Sequence, residues 1–346
     1  MKGQRYGIFV AAPMTYSIIV AVFNRPDELD ELLQSLSVQT FRDFEVIVVE
    51  DGSSIPASDV VQRWRTSLNV SYYAKENTGP GLSRNYGCRR ASGDVFIFLD
   101  SDCTVPPTWL ENIDVARRAR VLDAFGGPDR EHPSFSPVQK AISFAMTSFL
   151  TTGGIRGGKI RVGGAFHPRS FNMGLSREVF NRTDGFSKMR FGEDIDLSIR
   201  IIREGFTTGL IPEAWVWHKR RSTLRSFFKQ VHNSGIARVN LTLRHPGTLK
   251  ATHFFPAAFT TYVAVSFIYA VTLDHGWAAL LPLAFYTLAL FVSAVISSRS
   301  ATVAGLSVVA AFVQLIGYGT GFIRGLVRRI ILGKPEGHAF EKTFYA

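Results

Sequence analysis

Two carboxylates separated by a single serine, Asp100 and Asp102, directly follow the apolar run VFIFL. At that spacing the two negative charges repel each other unless a cation lies between them. Mg²⁺ and Mn²⁺ bind carboxylate oxygens and commonly complete their coordination shell with substrate phosphates. The pair therefore predicts a divalent-cation site, with an ordinary polar turn as the alternative.

A third candidate ligand for that cation is His218, in the stretch EAWVWHKRR. This stretch alternates like a strand, so Trp215 and Trp217 share one face and His218 takes the other. A neutral imidazole is a common metal ligand, and a histidine with a purely structural role is the alternative. The two tryptophans are expected in the core or at a membrane interface.

A second group of acids, Glu193, Asp194 and Asp196, opens an amphipathic stretch with the sequence FGEDIDLSIRI. Acids at a helix N-terminus are stabilised by the helix dipole, which accounts for them without any function. A carboxylate that starts a helix and faces a pocket also suits a general base, which would take a proton from an acceptor hydroxyl. The spacing alone leaves both interpretations open.

Two polar loops are candidate ligand loops. Asp51 follows the apolar run FEVIVVE in the turn EDGSS, and a turn-forming aspartate is the alternative interpretation. The second loop, ENTGPGLSRNYG, joins a predicted strand to a helix. Its Gly79 and Gly81 allow a ligand to approach the backbone, and Arg84 is available for an anionic group.

The elements that position these residues follow an alternating strand and helix rhythm from Ser17 to about Asp102. Continuous Val, Ile and Phe runs separated by amphipathic stretches predict an α/β fold, with a mostly parallel sheet covered on both faces. Ligand loops then lie at the carboxyl ends of the strands. Further helices are predicted at 109–120, 136–150 and 193–204, and a glycine-rich segment at 151–164.

The composition excludes several classes of protein. The chain has 346 residues, 46% of them hydrophobic and 19% charged, which is too apolar for a mainly disordered protein. Two cysteines without a CxxC motif make a disulfide scaffold or zinc ribbon improbable and fit a reducing cytoplasm. Lys and Arg total 39 against 28 Asp and Glu, and the net charge of +11 indicates an anionic partner.

Three apolar runs, 254–273, 277–296 and 302–323, are each long enough to cross a bilayer. No acidic residue lies between Glu213 and Asp274, whereas eight Lys and Arg residues do, which indicates a cytosolic face beside anionic lipid. Buried core helices are the alternative. The basic residues after the third run also favour the cytosol, so an even number of crossings is preferred over three.

Five motifs in order resemble the family-2 glycosyltransferases, with their A-type nucleotide-diphospho-sugar transferase fold, which is Rossmann-like. They are SIIVAVFNRPDELDELLQSLSVQT, FEVIVVEDGSS, NTGPGLSRNYG, FLDSD and FNMGLSREVFNRTDGFSKMRFGEDIDLSIRI. The resemblance implies a cytosolic catalytic domain at 1–247 that includes a basic interface segment at 214–250. A transmembrane region at 252–325 with two or three spans and a basic tail at 326–346 would follow.

The resemblance also implies roles for individual residues. Asp51 would bind the nucleotide base, Asp100 would approach the ribose or a metal-bound water, and Asp102 would bind Mg²⁺ or Mn²⁺. Asp194 would be the catalytic base, assisted by Glu193. The metal ligands would be Asp102, Asp100 and His218. The nucleotide-sugar site would comprise Phe23, Asn24, Arg25, Asp51, Gly79, Arg84, Asn85, Asp100, Ser101, Asn172 and Gly174.

The segment around WHKRRSTLRSFFKQ resembles the membrane-associated branch of that family, which builds exopolysaccharide or surface-glycan units of the cell envelope on lipid carriers. This implies a multi-pass protein of the inner or plasma membrane with a cytoplasmic catalytic domain. The acceptor would be a polyprenyl-diphosphate-linked glycan, and UDP is expected over GDP in the donor. The acceptor side would include Arg220, Arg221, Lys229 and Gln230.

One departure bears on the product. Processive synthases of this family carry a Gln-x-x-Arg-Trp motif after this point, and here the nearest match is Lys229-Gln230-Val231-His232-Asn233. Inverting transfer of a single sugar is therefore expected. The alternatives are a polyprenyl-monophosphate sugar synthase and a non-catalytic membrane sensor of nucleotide or lipid. Nucleic acid is not expected as a partner, because the basic residues concentrate before the apolar runs.

Overall fold

The computed structural model describes residues 14–152 and 166–336, so most of the glycine-rich segment lies outside the described residues. The strands are β1 Tyr16–Val22, β2 Phe44–Asp51, β3 Val70–Lys75, β4 Val95–Asp100, β5 Cys103–Thr104, β6 Ala124–Gly126, β7 Asp129–Arg130, β8 Asn172–Ser176, β9 Thr208–Leu210 and β10 Val216–His218. The helices of the first two thirds are α1 Pro26–Ser37, α2 Ser58–Trp64, α3 Pro80–Cys88, α4 Trp109–Ala119, α5 Pro137–Thr147, α6 Phe149–Thr152, α7 Arg177–Thr183, α8 Glu193–Arg203 and α9 Leu224–Arg244.

Three long apolar helices follow. They are α10 Phe255–Thr272, α11 Leu281–Ser298 and α12 Ala301–Leu326. Short 3₁₀ helices precede α10 and α11, and a π-helical turn, Val327–Ile331, follows α12. The helices predicted from the pattern at 109–120, 136–150 and 193–204 are confirmed within a few residues.

The central sheet confirms the predicted α/β architecture. Its seven strands run in the order β3-β2-β1-β4-β8-β6-β9, and β8 is antiparallel to both of its neighbours while the other pairs are parallel. Successive side chains of a strand point to opposite faces of the sheet, and in the central strands the side chains on both faces are buried. Ile18 and Val20 of β1 pack into one core, whereas Ile19 packs into the other.

A second sheet of three short strands, in the order β5-β10-β7, begins just past the carboxyl end of β4. Its register places His218 opposite Cys103, the residue after Asp102. The strand β10 thereby brings a residue far along the chain to the end of β4. Sequence patterning predicted β10 as a strand without its partners.

Helix α9 packs closely against α12 through glycines on both helices. A Cβ atom on Gly235 would collide with the carbonyl oxygen of Tyr318, and one on Gly321 would collide with the carbonyl oxygen of His232. Because only hydrogen occupies these positions, the two backbones lie in direct contact. Helix α9 is therefore held directly against the last apolar helix, α12.

The three apolar helical segments, Ala251–Thr272, Gly276–Ser298 and Ala301–Ile331, are long and apolar enough to cross a membrane. The third is the most buried of them because it packs against α5 and α9. The ring of Phe254, just before α10, contacts Phe322 near the end of α12, with the ring centroids 5.2 Å apart. Both basic flanks therefore lie on the same side, which supports an even number of crossings, although that number stays a prediction.

Candidate active site

The predicted ligand loops meet at one edge of the sheet. Asp51 ends β2, Asp100 ends β4, and Asn24 lies just after β1. Asn24 has a left-handed φ of 53°, and its Oδ1 accepts hydrogen bonds from the backbone amides of Ser54 and Ile55 at 2.8 and 3.0 Å. The loop after β1 thus holds the loop after β2. The half-buried Phe23 and Arg25 flank Asn24 on the same loop.

Asp51 is buried and organises the loop that follows β3. Its carboxylate accepts hydrogen bonds from the backbone amides of Thr78 and Gly79, both at 2.9 Å, and pairs with Lys75 Nζ at 2.5 Å. Gly79 has a φ of 90°, a conformation that glycine adopts without strain. Asp51 therefore shapes the loop where nucleotide-base binding is predicted.

Arg84 links the acids of two separate elements. This buried guanidinium contacts Asp100 Oδ1 through Nη2 at 2.6 Å and Glu193 Oε1 through Nη1 at 3.3 Å. The neighbouring Asn85 holds the loop before α8, because its Nδ2 donates to the carbonyl of Phe186 and its Oδ1 accepts from the amide of Phe186, both at 2.8 Å. Helix α3 thus fixes the start of α8 relative to the end of β4.

Asp102 and His218 form the core of the predicted cation site. His218 Nε2 lies 3.3 Å from Asp102 Oδ1, and Arg25 Nη1 lies 2.5 Å from Asp102 Oδ2. Asp102 Oδ1 is buried without a hydrogen-bond partner among the described residues. Burial opposes ionisation, but His218 and Arg25 hold the pKa of Asp102 well below its usual range. A buried, ionised oxygen beside an imidazole fits a divalent cation.

Cys103 lies beside these two residues, and the candidate ligand atoms of Asp102, Cys103 and His218 are within 4.8 Å of one another. Burial raises the pKa of the Cys103 thiol well above its ordinary value, and its Sγ lies 3.6 Å from the carbonyl oxygen of Phe171. Because the thiolate is the form that binds metal, the carboxylate and the imidazole are the predicted donors at this site. Asp100 points to Arg84 instead, and its role as a ligand stays a prediction.

The two candidate base residues, Glu193 and Asp194, occupy the first turn of α8 and differ in protonation. Burial disfavours a charge on Asp194, but its ion pair with Arg169, 2.7 Å from Nε to Oδ2, keeps the pKa of Asp194 below its usual value. Burial and the nearby Asp194 raise the pKa of Glu193 to about 7, against the opposing effect of Arg84. Asp194 is therefore the ionised member of the pair at neutral pH.

Glu193 gives the fold a pH-dependent stability. Its pKa of about 7 exceeds the ordinary 4.5, so the folded chain binds this proton more tightly than the unfolded chain. The stabilisation is complete below pH 4.5 and is lost as the pH rises through about 7. Glu193→Gln mimics the neutral form and is expected to raise the unfolding temperature at about pH 8 but not at about pH 5. Scanning fluorimetry would measure this, with the exposed Glu178→Gln as control. Equal unfolding temperatures for wild type and Glu193→Gln at both pH values would contradict the expectation.

Other predicted residues lie in different surroundings. Asn172 Nδ2 donates to the carbonyl of Ala214 at 2.7 Å inside the sheet, and a Cβ on Gly174 would collide with the ring of Phe125. Packing accounts for both residues, and their contact with a nucleotide sugar remains untested. Ser101 is buried between the two strand-end acids.

The predicted acceptor-side residues divide into two groups. Arg220 is buried and pairs with Asp129 at 2.6 Å between Nη1 and Oδ2, so its charge is already compensated. Arg221 and Lys229 are exposed, and Gln230 is half-buried on α9.

Sequence reasoning did not find Arg169 or Glu50. Arg169 precedes Asp194 by 25 residues, and no motif or spacing connects the two. Glu50 is buried, and its Oε2 accepts hydrogen bonds from the amide of Ala57 at 2.7 Å and from Tyr72 at 3.1 Å, which supports the loop after Asp51. The sequence signal that could have identified Glu50 is a charged residue at the end of an apolar strand, directly before Asp51.

Residues 17–182 match the model of Glycosyl transferase family 2. This part of the chain is a family-2 glycosyltransferase domain. Poly(ribitol-phosphate) beta-N-acetylglucosaminyltransferase TarS of Staphylococcus aureus is 39% identical over 93 residues, which are 26% of this chain and 16% of that protein. The chain spans between 12% and 16% of the full length of the first curated relatives that it matches.

Solved structures show the fold of this chain over most of its length. The mannosyltransferase PcManGT from Pyrobaculum calidifontis, in complex with GDP-Man and Mn²⁺, has a TM-score of 0.57 at 17% identity and covers 90% of this chain and 87% of its own. S. aureus TarS residues 1–349, in complex with UDP-GlcNAc, has a TM-score of 0.50 at 17% identity over 93% of each chain. The protein has the A-type glycosyltransferase fold.

Proposed function

We propose that this protein is an inverting glycosyltransferase that moves one sugar from a nucleotide-diphospho-sugar to a lipid-linked glycan acceptor at the cytosolic membrane face. The observation that carries the proposal is the convergence at one sheet edge of a buried Asp102 oxygen beside His218 and the ionised Asp194 held by Arg169. The first pair suits the diphosphate side of a donor. The second suits activation of an acceptor hydroxyl.

The residues of the candidate active site have distinct tasks in this reaction. Asp102 and His218 would hold a divalent Mg²⁺ or Mn²⁺, which neutralises charge on the departing nucleoside diphosphate. Asp194 accepts the proton of the acceptor hydroxyl as the oxygen attacks the sugar carbon from the face opposite the leaving group. Arg169 keeps Asp194 ionised, and Arg84 keeps α8 in place against the end of β4.

The substrates are inferred from chemistry and likeness together. The two solved neighbours carry GDP-Man and UDP-GlcNAc, so a nucleotide-sugar donor is supported and its base is not decided. The apolar helices and the acid-free basic segment before them support a multi-pass membrane protein with an acceptor on a polyprenyl carrier, in synthesis of a surface polysaccharide. UDP remains the preferred donor nucleotide.

Calorimetric titration of the detergent-purified full chain with UDP and with GDP, each in Mn²⁺ and in excess EDTA, tests the proposal. Binding of one nucleotide that requires the metal is expected. If neither nucleotide binds to a protein shown to be folded by circular dichroism, the enzyme proposal fails. The non-catalytic lipid sensor would then be the better description.

A further inference from the structure

Five basic residues from separate parts of the chain connect the start of α8 with the turn before the first apolar helix, α10. We call them the basic cluster: His167, Arg169, Arg238, Lys250 and His253. They come from three separate segments, namely the chain before β8, the helix α9 and the turn that leads into α10. The sequence analysis placed Arg238 and Lys250 only in the basic segment at 214–250 that faces anionic lipid, and it gave no role to His167, Arg169 or His253.

Packing places this cluster beside the catalytic carboxylates. Arg169 binds Asp194 directly at 2.7 Å. A Cβ on Gly192, the residue before Glu193, would lie 3.1 Å from Leu241 and 3.6 Å from Ala237. Ala237 directly precedes Arg238 on α9, and Leu241 follows it by about one turn. The start of α8 therefore packs against the part of α9 that carries Arg238.

The other cluster members are linked by their charges. Arg238, Lys250 and Arg169 all interact electrostatically with His167, and together with burial they lower the pKa of His167 below its ordinary value. Arg238 and Lys250 also interact with His253, whose Nδ1 accepts a hydrogen bond from the backbone amide of Lys250 at 3.0 Å. The cluster is therefore continuous from Asp194 to the turn before α10.

Only part of the positive charge of the cluster is compensated within the described part of the chain. There, Arg169 pairs with Asp194, whereas neither Arg238 nor Lys250 has a carboxylate within 4.0 Å. The Nε of Arg238 is buried and lacks a hydrogen-bond partner among the same residues. Cations that crowd together without acids indicate a site for an anion with several oxygens.

We propose that the basic cluster binds the phosphate groups of the acceptor's lipid headgroup and so presents the acceptor hydroxyl to Asp194. This inference rests on the proposed function for the identity of the acceptor. A lipid source is favoured over a free phosphate because the cluster ends at His253, and the next two residues, Phe254 and Phe255, are exposed and begin the first apolar helix. A phosphate at the cluster therefore has its apolar chain beside α10.

The test uses the full chain in detergent and farnesyl diphosphate as a short prenyl diphosphate probe. The double variant Arg238→Gln/Lys250→Gln is expected to bind the probe at least about tenfold more weakly than wild type, because two charge-assisted contacts are lost. The exposed pair Arg65→Gln/Arg120→Gln removes the same charge elsewhere and should bind like wild type. Inorganic pyrophosphate and phosphatidylglycerol vesicles are titrated in parallel.

Each outcome decides a separate point. Unchanged probe affinity in the Arg238/Lys250 variant overturns the inference, and so does equal weakening in the control pair. Pyrophosphate that binds as tightly as the probe would indicate a site for a free anion. Complete competition by phosphatidylglycerol would indicate general lipid binding, and either result also overturns the inference.

UDP and GDP are titrated with every variant. Nucleotide binding that falls with the Arg238/Lys250 change would assign the cluster to the donor site and overturn the inference, whereas its absence in wild type would contradict only the proposed function.

Discussion

Asp194→Asn is expected to lower kcat by about 10²–10⁴-fold, the usual contribution of a general base. The substitution keeps the shape of the side chain but removes the group that takes the acceptor proton. Donor binding should persist, because Asp194 interacts with Arg169 and the first turn of α8 and not with Asp102 or His218. Initial rates and nucleotide titration on the same preparation would measure both effects.

The matched control is Asp184→Asn, at an almost fully exposed aspartate that caps α7. Asp184 has a left-handed φ of 53°, which asparagine also tolerates, so this variant should turn over like wild type. A fully active Asp194→Asn enzyme would exclude Asp194 as the base. Glu193 would then be the remaining carboxylate of the pair.

Asp102→Asn is expected to remove most of the metal-dependent part of donor binding. In the wild type, Asp102 offers a buried, ionised oxygen that has no hydrogen-bond partner among the described residues. Asparagine presents a neutral amide there, and a neutral ligand binds a hard divalent cation far more weakly than a carboxylate does. The nucleotide affinity in Mn²⁺ should fall by about tenfold or more, which calorimetry would measure.

The affinity measured in EDTA is the internal control for this variant. It should match that of wild type, because without metal both proteins depend on the same Asp51 and Arg84 loops. An Asp102→Asn protein that retains the full gain from Mn²⁺ would show that the cation is bound elsewhere. His218→Gln, at the second donor of the site, should give a smaller loss in the same direction.

The sheet was predictable because its physical signals are local. The stretches IIVAV and VIVV are apolar at every position, which indicates burial on both faces, and the amphipathic stretch after each of them predicts a covering helix. The antiparallel strand β8 was not predictable. NMGLS is short and carries a glycine and an asparagine, so its residue types do not indicate a strand or its direction.

The acids of the candidate site could be predicted because they lie at the end of one strand. Their ion-pair partners could not, because these come from distant parts of the chain. Asp100 and Asp102 look equivalent in sequence, but Arg84 takes Asp100 while His218 and Arg25 meet at Asp102. The spacing of the acids carries no information about these partners. Similarly, the unequal protonation of Glu193 and Asp194 arises from Arg169, which only the folded chain brings near.

The glycine contacts between α9 and α12 give the enzyme a fixed reach. Because the two backbones touch at Gly235 and Gly321, any side chain larger than hydrogen at either position would push α9 away from α12. The start of α8 rests on α9, so Asp194 is held at one height above the apolar helices. Under the proposed function, this fixed distance is expected to favour acceptors whose reactive hydroxyl lies equally far from the bilayer.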